Sequence, residues 1–207
     1  MVWKQHFMGR GLNRRDTCIV LLLLAFNLFI LILIPSGPNP EAVSAAYRAN
    51  CANNQKQIYK LVCEFSGEEG FDLPPEWTVA DLIRAAAGKD FQTHQPRPGE
   101  SVAEMGHRLE KDYLCRSVHY ERKAFHIRRK RTEVVRQYLV FPVPASAVFD
   151  KSLPQPVPIL MCPPGTHGEK QKTPVLYSDG TVEAMTTEEA EKLVAEKHPV
   201  PLRLSME

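Results

Sequence analysis

The chain has 207 residues, with 26 basic and 24 acidic side chains, so it has room for one ordinary domain plus a membrane segment, and its near-even charge excludes bulk electrostatics as a reason to bind nucleic acid or an acidic partner. Its 17 prolines cluster in short runs and argue against a plain helical bundle, because each removes a backbone donor and fixes φ. Aromatic residues make up only 8% of the chain, which bounds the core as modest.

Residues 1–17 form a basic segment carrying Lys4, Arg10, Arg14 and Arg15. Cys18 to Ile34 then reads CIVLLLLAFNLFILILI, with no charge and with Asn27 as its only strongly polar residue. At ~1.5 Å per residue such a run covers ~25 Å of hydrocarbon, and it shows no polar face, so the pattern predicts a transmembrane helix over 18–35. The positive flank precedes the run and none follows until Arg48, which puts the N-terminus in the cytoplasm and the rest outside. A cleaved signal peptide has the same basic start, with Val43-Ser44-Ala45 as its cut site. That triplet lies well beyond the apolar run, and the run is longer than most signal cores. Asn27 is expected to bond locally within its helix.

Residues 36–66 read as a linker and an amphipathic helix. Asn39 can cap it, Pro40 suits the first helical position, and Glu41 favours the positive end of the dipole. The helix runs to about Phe65 and stops at Gly67, with Val43, Tyr47, Cys51, Ile58, Leu61, Val62 and Phe65 as its apolar stripe. Residues 67–207 read as an extracytoplasmic α+β domain. Trp77 to Ala87 predicts a short helix capped by Thr78 and stopped at Gly88. Phe91 to Gly99 reads as a loop. Ser101 to Tyr113 predicts another helix, with Ser101 and Glu104 in capping-box spacing. Cys115 to Arg131 is ambiguous: Tyr120, Ala124 and Ile127 fit a helix, while Val118, Tyr120, Phe125 and Ile127 only partly fit strand alternation. Glu133 to Phe141 predicts a strand, Pro142 to Pro158 an irregular connection, and Ile159 to Cys162 a short strand. Pro174 to Met185 predicts a hairpin turning at Asp179-Gly180, because a tight turn needs φ > 0. Thr186 or Thr187 caps a last helix through about Lys197. The expected fold is α+β, an N-terminal transmembrane helix and an amphipathic helix packed on a small antiparallel sheet.

Several residue groups are candidates for chemistry. Arg122, Lys123, His126, Arg128, Arg129, Lys130 and Arg131 form the one charged cluster; it reads first as a solvated turn or strand edge. The sharper reading is contact with an anion, a phosphate of DNA or of lipid. Tyr120 and Phe125 are its only stacking partners, so nucleic acid is not an expected partner. His94, His107, His119, His126 and His167 show no paired ligand spacing and there is no C-x-x-C, so surface histidines and no metal are expected. No G-x-S-x-G, Walker loop or H-E-x-x-H is present, so neither an enzyme nor a cofactor is expected. Cys51 and Cys63 lie twelve positions apart on one helix, ~18 Å along its axis, too far for a disulfide. Each pairs with Cys115 or Cys162, or stays free as a buried thiol.

Two stretches carry a family resemblance. AAYRANCANNQKQI, from Ala45 to Ile58, resembles the post-membrane helix of bacterial prepilin-like proteins. His167-Gly168 followed by VLYSDGTV, from Val175 to Val182, resembles that family's terminal signature, a histidine ahead of an apolar strand and an Asp-Gly turn. The order of parts is also that of a type IV pilin or a type II secretion pseudopilin. The junction Arg14-Arg15-Asp16-Thr17-Cys18 lacks the peptidase glycine, and the apolar run lacks the usual glutamate. The resemblance covers the first third and last fifth of the chain. It implies a single-pass protein of the bacterial inner membrane, a pilin-like fold, and a structural or assembly role. Its partners would be the lipid bilayer and other pilin-like subunits or secretion-system membrane proteins. His167, Asp179 and Gly180 would be hairpin signature residues. It also implies a disulfide from Cys51 to Cys162, leaving Cys63 for Cys115. The alternative expectation is a membrane-tethered binding module that does not assemble.

Overall fold

A computed structural model describes residues 14–33, 40–68, 71–121, 130–168 and 172–204. The chain divides into two compact units, Met1–Asn39 and Pro40–Glu207.

The first unit holds helix α1, Arg14–Leu33. Its side chains are described over 18–29, and there they are exposed on every side, Leu22 at 70%, Leu24 at 62% and Leu28 at 62% among them. Asn27 donates its side-chain amide to the Leu23 carbonyl one turn back, at 2.8 Å, which is the local bond the sequence suggested. Counted over the described residues, no helix is long and apolar enough to cross a membrane.

The second unit is α+β. Helix α2, Pro40–Ser66, buries one stripe made of Cys51, Gln55, Ile58 and Val62, which helical spacing puts on one face. Helix α3, Val79–Thr93, starts in a capping box between Thr78 and Asp81. It passes through Gly88 where the sequence predicted a stop. A mid-helix glycine costs only about 1 kcal/mol, and burial of Ala87 and Phe91 on either side outweighs it. Helix α4, Val102–Asp112, starts in the predicted Ser101/Glu104 box.

Strands β1, Cys115–Glu121, and β2, Lys130–Arg136, form a two-stranded antiparallel sheet, so the described ends of the ambiguous stretch are strand, while residues 122–129 lie outside the described residues. The predicted strand Glu133–Phe141 is split. Tyr138, fully buried, marks where the chain leaves the small sheet for the larger one at β3, Leu139–Val140. A 3-10 turn at Ala145–Val148 interrupts the connection to β4, Pro158–Met161. Strands β5, Thr173–Tyr177, and β6, Val182–Met185, make the hairpin, and β7, Val200–Pro201, closes the other end. The order is β6-β5-β4-β3-β7, antiparallel throughout.

Side chains alternate across this sheet, so neighbours in sequence serve two layers. Leu160 and Leu176 join the core shared with α2, while Met161 and Val175 face helix α5, Thr187–Lys197, through Ala190, Leu193 and Val194. That is why β4 is apolar along its length: both its faces are covered.

The hairpin turn is longer than two residues. Gly180 N–H donates to the Tyr177 carbonyl and Tyr177 N–H to Thr181, enclosing Ser178, Asp179 and Gly180, with Gly180 at φ +82°. A Cβ on Gly180 would also sit 2.6 Å from the Tyr59 ring of α2. The Tyr59 hydroxyl donates to the Ser178 carbonyl at 3.0 Å.

Candidate metal centre

Helical spacing places Cys51 and Gln55 one turn apart on the buried stripe of α2. Cys115 opens β1 immediately after α4 and is fully buried. Cys162 follows β4, and alternation puts it with Leu160 on the α2 side. The chain then makes two successive turns, Thr166 N–H to the Pro163 carbonyl and Gly168 N–H to Gly165, with Gly165 and Gly168 both at positive φ. These turns fold His167 back on Cys162.

The result is a compact group of three thiols and one imidazole. Cys51 Sγ lies 3.5 Å from Cys115 Sγ, and His167 Nε2 lies 3.6 Å from Cys115 Sγ and 3.4 Å from Cys162 Sγ. All four potential ligand atoms fall within 4.8 Å of one another. Each residue is at most 5% exposed. Gln55 Nε2 approaches Cys162 Sγ at 3.7 Å and donates to the Pro174 carbonyl at 3.2 Å. Cys51 Sγ also lies 3.6 Å from the Arg116 carbonyl. Tyr138, fully buried, has a hydroxyl with no hydrogen-bond partner among the described residues, and His167 Nδ1 likewise has none.

The thiols share one titration problem. Hydrogen bonds from Cys115 and then Cys162, with the nearby His167 charge, hold the Cys51 thiol far below its ordinary range. Burial pushes Cys162 up. Tyr138 is raised as well, chiefly by burial. The group is thus an enclosed pocket of soft donors, able to hold an ion or to keep one thiolate among hydrogen-bonding thiols.

The structure redistributes the sequence candidates. All five cysteines are free, so neither the Cys51–Cys162 nor the Cys63–Cys115 bond is present. Cys63 is half-buried in a groove of about 720 Å³ lined by Tyr59, Phe71, Leu73 and Phe149, apart from the other three. Burial pushes its thiol up. The expectation of surface histidines fails at His167, which is buried beside Cys115 and Cys162; His94 and His107 are exposed as expected. Asp179 instead braces its own turn, accepting from Thr181 N–H at 2.9 Å. Of the basic cluster, Arg122, Lys123, His126, Arg128 and Arg129 lie outside the described residues, and only the backbone of Lys130 and Arg131 is described, at the start of β2.

Sequence reasoning looked for paired ligand spacing and so missed a set drawn from a helix, a strand start and a loop. One local signal was available: Cys162 and His167 lie five residues apart with a glycine-bearing turn between them. No protein-family model matches the chain, and neither a curated protein nor a solved structure is significantly similar to it.

Proposed function

We propose that the chain is a membrane-anchored structural protein of pilin-like build, working through helix contacts in the bilayer and a non-catalytic outer domain. The observation that carries this reading is the bare apolar surface of α1. Ile19, Leu21, Leu22, Leu24, Phe26 and Leu28 are all more than half exposed, at helical spacing that covers every side. Water makes such a surface costly at about 25 cal/mol per Å², whereas lipid does not. The uncharged run continues in sequence to Ile34, the length a spanning helix needs at its short end.

The outer domain supports the same reading. The two stretches that resemble prepilin-like proteins meet in space at Cys51 and His167, whose ligand atoms lie within 4.8 Å of each other, and beside them Gln55 donates to the Pro174 carbonyl and Tyr59 to the Ser178 carbonyl, each across 119 residues. A long helix laid on an antiparallel sheet through its terminal hairpin is the pilin-like arrangement that the resemblance implies. The sulfur–imidazole group is enclosed, so no substrate can reach it, which favours a scaffold over an enzyme.

The test is fractionation followed by crosslinking. Full-length protein should remain in the membrane after alkaline washing, and single cysteines placed at successive α1 positions should crosslink to another membrane helix on one face only. Release of the protein by alkaline washing would refute the anchor. Membrane retention without any α1 crosslink would leave the anchor and refute the assembly role.

A further inference from the structure

We infer that Cys51, Cys115, Cys162 and His167 hold one zinc(II) ion in a closed tetrahedral site. Zinc binds sulfur at ~2.3 Å and imidazole nitrogen at ~2.0–2.1 Å, so a tetrahedron built on it has sulfur–sulfur edges of about 3.8 Å and sulfur–nitrogen edges of about 3.6 Å. The Cys51–Cys115 edge is 3.5 Å, and the His167 edges are 3.6 Å to Cys115 and 3.4 Å to Cys162. Four donors from three separate stretches of the chain therefore converge, their ligand atoms all within 4.8 Å of one another and the three closest approaches near the edges of such a tetrahedron.

The donor set selects the ion. Three thiols and an imidazole, with no carboxylate, suit zinc and exclude magnesium and calcium, which want oxygen. The count also argues against oxidation as the resting arrangement. A disulfide would use two sulfurs and leave the third, with His167, buried without a bonded partner. Zinc takes all four, and each thiol gives up its proton on binding.

The surroundings fit the anionic complex that three thiolates and a dication make. Gln55 Nε2 points at Cys162 Sγ from 3.7 Å. The Tyr138 hydroxyl is fully buried in the same core cluster and lacks an acceptor among the described residues. Thiolate sulfur would supply one, as outer-shell donors commonly find at thiolate-bound zinc. Arg136, the strand partner of Cys115, brings a positive charge to the same end of β1. Full burial leaves no open coordination position, so the ion is structural. It ties α2 to the start of β1, the end of β4 and the following loop, joining both sheets to one helix across 64 residues from Cys51 to Cys115 and 52 from Cys115 to His167.

The experiment uses full-length protein extracted in detergent without chelator. Elemental analysis should find one zinc per chain. Exchange for cobalt(II) should give the intense d–d bands of a tetrahedral ion with sulfur-to-cobalt charge transfer. Cys63→Ser should leave both unchanged, and Cys115→Ser should lose the ion to a chelator that the parent resists. His167→Cys keeps four donors, so it should retain the ion and strengthen the charge-transfer band; this holds the test open if Cys115→Ser does not fold. Tyr138→Phe should weaken binding by about tenfold. Metal-free protein that gives no cobalt bands would overturn the site. So would a disulfide between any two of Cys51, Cys115 and Cys162 in freshly extracted protein, or a His167→Cys spectrum identical to the parent.

Discussion

Helices α1 and α2 are both long and both carry many apolar residues, yet their surfaces are opposites. The apolar side chains of α1 described over 18–29 face outward all round, and Asn27 spends its amide on its own backbone. Helix α2 keeps a single buried stripe, and the polar member of that stripe, Gln55, reaches across to β5 and to a cysteine. The contrast teaches that apolar content alone does not say what solvent a helix expects. A stripe asks for a protein partner, and an all-round surface asks for lipid.

The contrast can be broken in order of expected effect. Leu160→Ala, under α2, should cost about 2–5 kcal/mol and lower the thermal midpoint of the outer domain, while Leu22→Ala in α1 should leave that midpoint unchanged. An equal loss from both would erase the distinction. Leu23→Arg should hinder insertion by about 3 kcal/mol and deplete the membrane fraction, again without altering the domain's own unfolding. Gly180→Ala should destabilise the hairpin by about 1–2 kcal/mol, because the left-handed backbone and the Tyr59 ring both oppose a Cβ. If Gly180→Ala in a Tyr59→Ala background costs as much as in the parent, the ring contact is not part of the reason.

The smallest effect is an electrostatic one. Thr78→Ala should cost about 1 kcal/mol through loss of the α3 cap. Hydrogen bonds from the Thr78 side chain and backbone hold Asp81 at about 2, below its ordinary 3.8. A depressed carboxylate favours the folded state above its unfolded pKa, and that contribution is lost as pH falls from 3.8 through about 2. The urea midpoint of the parent should therefore fall across this window, and Thr78→Ala should fall less. A parallel decline in both would remove the cap from the acid response.

Much of the fold was legible because its signals are local. Ser101 with Glu104, Thr78 at its helix start, Thr186 before α5 and the Asp-Gly turn each report on three or four neighbouring residues, and each formed where the sequence placed it. The misreadings sit where a distant partner decides. Gly88 did not stop α3, because burial of its neighbours lies outside any local window. The strand at Glu133–Phe141 divided because Tyr138 is claimed by the core rather than by either sheet. The candidate site was the least legible part. In the sequence Cys51 belongs to an apolar stripe and His167 to a hairpin signature, and only the packing of α2 against β1 and the chain after β4 brings them together. The orphaned Tyr138 hydroxyl belongs to the same lesson, since no sequence pattern announces a donor lacking its acceptor.

The short strand β7 has a consequence for how copies of this protein could associate. Leu202 N–H donates inward to the Tyr138 carbonyl at 2.7 Å, so the backbone of Pro201 is the part that faces away from β3. Proline offers no hydrogen there, and the strand is two residues long. That margin cannot template an incoming chain, and the protein is thereby steered away from stacking through its sheet at this end.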